Sequence, residues 1–315
     1  MSLTAPVDGD GLVRVSTRLL VGMRAQAAHI RLDQRRTSVA TGEGYRSNFR
    51  GRGMEFSEVR PYQPGDDIRH LDWRVTARTG VAHTKLFHEE RERPVFISLD
   101  LRQAMMFATQ GQYKAVLGAR IASLLAWRAA ELNDRVGGMV ISEEAHHELK
   151  PLRGKRGVLN LLHSIAEHAA WQPDLSSGSK KAETDTLSHA ISRLQRITTP
   201  GSLIVMLSDF RDLSTPAEQQ LMHLARHNQL VLMNLYDPIE RTLPASGLYR
   251  FRHADVDVSI DTADTTQVHN YEQRFATRHQ QLHRLATSSG IRCVDCVTTD
   301  DPVTLAQTLI TRSTR

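Results

Sequence analysis

Three apolar runs constrain this chain more than any other feature: VFISL at residues 95–99, SLIVML at 202–207 and LVLMNL at 230–235. None alternates apolar with polar, as a strand with one face in water would. Runs of this length and β-branched content are expected for central strands covered on both faces, the condition met inside a parallel sheet flanked by helices.

The surroundings agree with that reading. From residue 95 onward, strand-like and helix-like stretches take turns. Residues 112–132 carry Leu117, Ile121, Leu124, Leu125 and Leu132 at helical spacing. Arg135–Ser142 reads as a strand and His146–Leu149 as a short edge strand. Helices are expected over 155–169, 185–197, 216–228, 268–288 and 301–312, a hairpin over 248–260 and a strand over 291–297. Alternation of this kind predicts an α/β fold with a doubly wound, mostly parallel sheet over residues 94–315. Ahead of it, residues 12–32 place Leu12, Val15, Leu19, Met23, Ala27 and Ile30 at three-to-four spacing, which predicts one amphipathic helix. The division is therefore 1–39 as an N-terminal basic helix and tail, 40–93 as a charged module with a Pro64-Gly65 turn, and 94–315 as the sheet domain.

At 315 residues, with 40% apolar and 24% charged side chains, the chain has the composition of a globular protein with a sizeable core. The net charge of +5 is uneven: residues 11–52 hold nine Arg against two acids, Asp33 and Glu43. A basic arm suits nucleic acid, an anionic membrane or an acidic partner, and equally a solvated helix face. Tyr45 and Phe49 are the only aromatic residues in the arm for base stacking, which argues against nucleic acid. No apolar run reaches the ~18 residues of a membrane span, and no basic segment followed by an apolar one marks a secretory leader. Cys293 and Cys296 sit in an alternating, strand-like context with no second pair, so neither a redox helix nor a complete zinc site is expected. These features together lead to the expectation of a cytoplasmic protein with structural cysteines.

The candidate chemistry lies elsewhere. Asp100 ends the first central strand and Asp209 ends a later one, so both are expected at the carboxyl edge of the sheet, where open α/β folds bind ligands. Two carboxylates there suit a hard divalent cation, although each is also placed to cap the next turn. Residues 51–90 interleave Arg60, Arg69, Arg74 and Arg78 with Asp66, Asp67 and Asp72. The near balance of sign predicts either an internal salt-bridge network clamping the module to the sheet domain or a docking surface anchored by Trp73. Phosphate-cradling Gly loops, G-x-S-x-G and H-E-x-x-H are all absent from the sequence, which removes the simplest nucleotide-binding and hydrolase readings. His146 and His147 are adjacent in a strand and point to opposite faces, so they do not share a metal.

Asp100 and Ser208-Asp209 at strand ends, among alternating helices, resemble a von Willebrand factor A domain. More specifically, Arg52-Gly53-Met54-Glu55-Phe56, Arg60-Pro61-Tyr62, Pro64-Gly65-Asp66-Asp67, Arg69, Leu71-Asp72-Trp73, Thr76-Ala77-Arg78 and Glu89-Glu90 resemble the bacterial domain-of-unknown-function family fifty-eight. Leu207-Ser208-Asp209-Phe210 and Asp237-Pro238-Ile239-Glu240 fit it as well. The resemblance runs from about residue 40 to the C-terminus. It implies a non-enzymatic adaptor or accessory factor acting with a MoxR-type AAA+ ATPase.

A metal-ion-dependent adhesion site in such domains has Asp-x-Ser-x-Ser, with a Thr further on. Here the stretch reads Asp100-Leu101-Arg102-Gln103-Ala104, and the Thr falls near Thr184-Asp185-Thr186. Losing both hydroxyls and gaining a fixed positive charge leaves a magnesium site weak or empty. The expectation is that Arg102 takes the cation's electrostatic role by pairing with Asp100 or Asp209, and that no cofactor is required. Asp100, Arg102, Asp209, Arg60, Asp66, Asp67, Arg69, Asp72 and Trp73 are the candidate partner-binding residues. The alternative function is nucleic-acid or anionic-membrane binding through the basic arm. A metal-dependent hydrolase lacks any recognisable nucleophile-activating site.

Overall fold

The computed structural model describes residues 11–30, 54–89, 93–143, 146–172, 186–244, 247–253 and 256–308. They divide into two compact units, one of residues 1–33 with 93–315 and one of residues 34–92.

The larger unit begins with two short helices, α1 (Thr17–Gly22) and α2 (Arg24–Ala27). The single helix expected over 12–32 is thus broken at Met23, which closes α1 and opens α2. Ser16 caps α1 by accepting the Leu19 N–H at 3.3 Å.

The smaller unit contains β1 (Met54–Pro61), α3 (Trp73–Thr79) and β2 (His83–Glu89), with β1 and β2 paired antiparallel. Its connecting segment carries a 3-10 turn at Ile68–His70.

The larger unit continues with β3 (Pro94–Asp100), α4 (Lys114–Glu131), β4 (Arg135–Ile141), β5 (His146–Arg153), α5 (Gly154–Ala166), α6 (Thr186–Ile197), β6 (Leu203–Ser208), α7 (Thr215–His227) and β7 (Gln229–Tyr236). It ends with α8 (Pro238–Arg241), the hairpin β8 (Leu248–His253) and β9 (Val256–Asp261), α9 (Thr265–Ser288), β10 (Arg292–Val297) and α10 (Pro302–Thr308). Six strands form one sheet in the order β10-β7-β6-β3-β4-β5. All neighbours are parallel except β5, which runs antiparallel to β4. The edge strand expected over four residues extends to Arg153, because pairing with β4 continues through a bulge between Val136 and Gly138.

The apolar runs are explained by helices on both faces of the sheet. In β3, Val95, Ile97 and Leu99 join one core cluster with residues of α4 and α5, while Phe96 joins the other with residues of α6, α7 and α9. In β6, Leu203, Val205 and Leu207 share the first cluster, and Ile204 and Met206 the second. Side chains alternate across the sheet, yet both sides are dry, so no polar alternation survives. Gly118 of α4 permits the close packing of helix on sheet: a Cβ there would stand 2.7 Å from Leu99 Cδ1.

Residues 11–30, part of the stretch read as a basic arm, contribute to this core. Leu20, Ala27 and Ile30 are fully buried. Ser123 Oγ of α4 donates to the Leu20 carbonyl at 2.7 Å, and the Arg24 guanidinium lies 5.3 Å from the Trp127 ring centre. The remainder of the arm, residues 31–52, lies outside the described residues.

Chain order across the sheet reverses between β3 and β6. From β3 the chain moves to β4 and β5, then returns to the other side of β3 as β6 and continues to β7 and β10. The carboxyl ends of β3 and β6 flank that topological switch point, where the crevice of an open α/β sheet forms.

If the first helices are part of the core, Leu20→Ala costs about 2–5 kcal/mol through the cavity it leaves. Urea unfolding should show a lower midpoint with an unchanged slope; an unchanged midpoint would mean that these helices are an appendage.

Candidate functional site at the carboxyl edge of the sheet

Asp100 is fully buried at the end of β3. Its carboxylate accepts the Arg102 backbone N–H at 3.0 Å, Arg102 Nε at 3.0 and 3.1 Å, Arg102 Nη2 at 2.8 Å and Ser208 Oγ at 2.7 Å. Arg102 is itself buried, and its Nη1 donates to Asp212 Oδ2 at 2.8 Å. Its Nη2 stands 4.0 Å from Asp209 Oδ1. Burial works against a charged guanidinium, but Asp100, with Asp209 and Asp212 behind it, outweighs that and holds Arg102 above its ordinary pKa.

A second cation lies on the far side of Asp209. Lys114, the first residue of α4, has no exposed surface and donates to Asp209 Oδ2 at 3.0 Å and to Glu240 Oε1 at 2.9 Å. Arg211 closes the array through Nε to Asp209 at 3.1 Å and through Nη2 to Glu240. Burial would raise the Asp209 carboxyl, but Lys114 and then Arg211 and Arg102 hold it below the usual carboxylate range. For Arg211, burial is outweighed by Glu240 and Asp209, and its pKa is raised. Four acids and three cations thus form a continuous chain from Asp212 to Arg211.

Local geometry explains how the chain is built. Glu240 belongs to a capping box at α8: Asp237 accepts the Ile239 N–H at 3.0 Å, and Glu240 Oε2 accepts the Asp237 N–H at 3.1 Å. That leaves Glu240 Oε1 to face Lys114. Asp237 also accepts the Thr109 N–H at 2.8 Å and Thr298 Oγ1 at 2.9 Å, fixing the loop before α4. After Asp209 the backbone turns through Phe210 at φ 47°, a left-handed conformation that is costly for a bulky side chain. The buried Phe210 ring, and its N–H donated to Ser208 Oγ at 3.1 Å, hold that turn. A cleft beside the array is lined by Asp209, Arg211, Tyr236, Glu240, Arg278 and His279.

The structure therefore brings Asp100, Arg102 and Asp209 together, as the strand ends suggested. Sequence reasoning missed Lys114, Arg211, Asp212 and Glu240. Two signals were present: a Lys at the first position of a largely apolar helix, opposed to the helix dipole, and the Asp-x-x-Glu spacing of a capping box. Thr184 and Asp185 lie outside the described residues, as does the side chain of Thr186. Ser208 has no imidazole partner among the described residues. Burial, followed by Asp295, pushes the Cys293 thiol up to about 12, and burial raises Cys296 as well.

Among the described residues, the charged module holds an ion pair and two helix caps. Arg60 Nη2 pairs with Asp66 Oδ1 at 2.8 Å. Asp67 accepts the Arg69 N–H at 3.0 Å, and Asp72 accepts the N–H groups of Arg74 and Val75 at 3.1 Å. Both carboxylates cap the helical turns that follow them. Trp73 is 69% exposed.

The sequence profile of the family described as "Protein of unknown function DUF58" matches residues 58–282. An uncharacterized protein of Mycobacterium bovis is 27% identical over 219 residues, covering 68% of this chain and 66% of the relative. The conserved hypothetical protein BatB from Bacteroides thetaiotaomicron is similar in structure at 18% identity and a TM-score of 0.43, over 69% of this chain and 97% of that one. An aerotolerance-related membrane protein from Bacteroides fragilis gives 15% identity and 0.41, over 69% and 96%. The description of that neighbour as a membrane protein stands against the cytoplasmic expectation, which is withdrawn. Among the described residues no helix is long and apolar enough to cross a membrane.

Asp209→Asn removes one carboxylate between two buried cations and should cost about 3–5 kcal/mol near neutral pH. A depressed folded-state pKa stabilises above the unfolded value and loses that stabilisation as pH falls through the folded one. The gap to wild type should therefore close below about pH 4, as read by urea unfolding across an acid series. A gap independent of pH would remove Asp209 from the charged array.

Proposed function

This chain belongs to the DUF58 family of proteins of unknown function, and from that membership we propose that it is a non-enzymatic interaction factor working with a MoxR-type AAA+ ATPase in protein complex assembly or remodelling. The reading takes the sheet domain as von Willebrand factor A-like. It takes Asp100-Leu101-Arg102-Gln103-Ala104 as a metal-ion-dependent adhesion site in which a guanidinium stands for the metal. One observation carries it: the Arg102 guanidinium is buried with two donors on Asp100, so the edge supplies a fixed positive charge without an ion.

The same geometry suggests how such an edge engages a partner. Arg102 has 7% of its side chain exposed, whereas Asp212, its outermost acceptor, has 61%. The bond from Nη1 to Asp212 is the exposed and exchangeable one, since solvated ion pairs contribute little. A carboxylate of a partner or client takes the place of Asp212, while Asp100 keeps the guanidinium oriented. The MoxR-type ATPase then remodels the complex.

Co-purification with a MoxR-type ATPase, with and without ATP, tests the partnership. Association in one nucleotide state, or a change in ATPase rate, is expected; neither would remove the reading. Asp212→Ala should tighten the association several-fold by freeing Nη1, and Arg102→Met should abolish it. Calorimetric titration with magnesium chloride should register no micromolar site, and clear micromolar binding at Asp100 would sink the substitution of guanidinium for metal.

A further inference from the structure

His279 and His283 are four residues apart on α9 and so share one face of the helix. That face lies against β10, where Asp295 is one of the residues turned toward it. His279 Nε2 is 2.9 Å from Asp295 Oδ2, and His283 Nε2 is 3.2 Å from both carboxylate oxygens. Three donor atoms of three side chains thus lie within 4.8 Å of one another. We propose that His279, His283 and Asp295 form a site for a divalent transition-metal cation of the zinc class.

The separations suit such an ion. Tetrahedral zinc with bonds of about 2.0–2.1 Å places its donors about 3.3 Å apart, so each His–Asp separation needs to open by only a few tenths of an ångström. The supporting shell is already present. Asn234 Nδ2, from the paired position on β7, donates to Asp295 Oδ1 at 3.1 Å and orients the carboxylate. Phe275 stacks on His279 with ring centres 5.7 Å apart, and Tyr236 meets it edge-on at 6.4 Å. The two imidazoles are held with ring centres 4.3 Å apart.

The donor set decides the class of ion. Two imidazoles with one carboxylate favour zinc or its neighbours over magnesium or calcium, which prefer all-oxygen shells. Cys293 Sγ, 3.9 Å from His283 Nε2, adds a soft donor beside the site. Side-chain exposures of 29% for His279, 37% for His283 and 31% for Asp295 give an ion a path in and leave room for water as a further ligand. On binding, each Nε2 exchanges its hydrogen bond to Asp295 for a bond to the metal, with the remaining imidazole proton on Nδ1.

Calorimetric titration of the full chain with zinc chloride tests the site. Wild type should bind zinc at micromolar affinity or tighter and gain thermal stability from it. His283→Ala and Asp295→Asn should each weaken binding by at least about tenfold while melting like metal-free wild type. Cobalt(II) should give the intense visible absorption of a tetrahedral complex, lost in the same variants. Because the chain has 15 His in total, the comparison with a His279→Ala/His283→Ala double variant is decisive: equal zinc affinity in that variant and wild type would overturn the proposal, and so would tighter binding of magnesium than of zinc.

Discussion

Beneath the carboxyl edge of the sheet runs a line of charges that no single element could hold in place. Asp100 comes from the end of β3, Asp209 from the end of β6, Glu240 from α8 after β7, and Lys114 from the start of α4. Each would be costly to bury alone, and each is tolerated because the others are there. The array therefore fixes how three neighbouring strand ends and a central helix meet. It needs the apolar strands beneath it to stay in register, because a slip of one residue would turn Asp100 and Ser208 to the opposite face of the sheet.

The array also defines what the edge can do. Its acids outnumber its cations, and each cation is bonded to at least one of them. Exchange is easiest at its rim, where Asp212 meets water. The charges of this edge are held in fixed places by one another.

Much of the fold was legible in the sequence because it depends on short-range patterns. VFISL, SLIVML and LVLMNL marked strands covered on both sides, and the alternation after residue 94 gave the mostly parallel sheet. Asp100 and Arg102 were legible for the same reason, being two residues apart. Lys114 was not, because its partners lie 95 and 126 residues away, so its place at the start of a helix did not say what it would meet. The break of the first helix at Met23 was hidden, since the apolar spacing continues unbroken across it. The caps formed by Asp67 and Asp72 were not read from the sequence, because charge balance reports composition and not which backbone donors lie nearby. His279 and His283 went unremarked inside a long polar helix, and only the placement of β10 gives them a common neighbour.

Helix α4 links two regions that the sequence keeps apart. Its first residue, Lys114, is held by Asp209 and Glu240, and thirteen residues on, Trp127 lies beneath Arg24 of the N-terminal helices. That distance is about 20 Å along the axis. A helix enclosed by core on nearly every side has no freedom to bend, so it shifts as a rod or stays still. The ion pairs of the sheet edge and the N-terminal helices are thus moored to opposite ends of one buried rod.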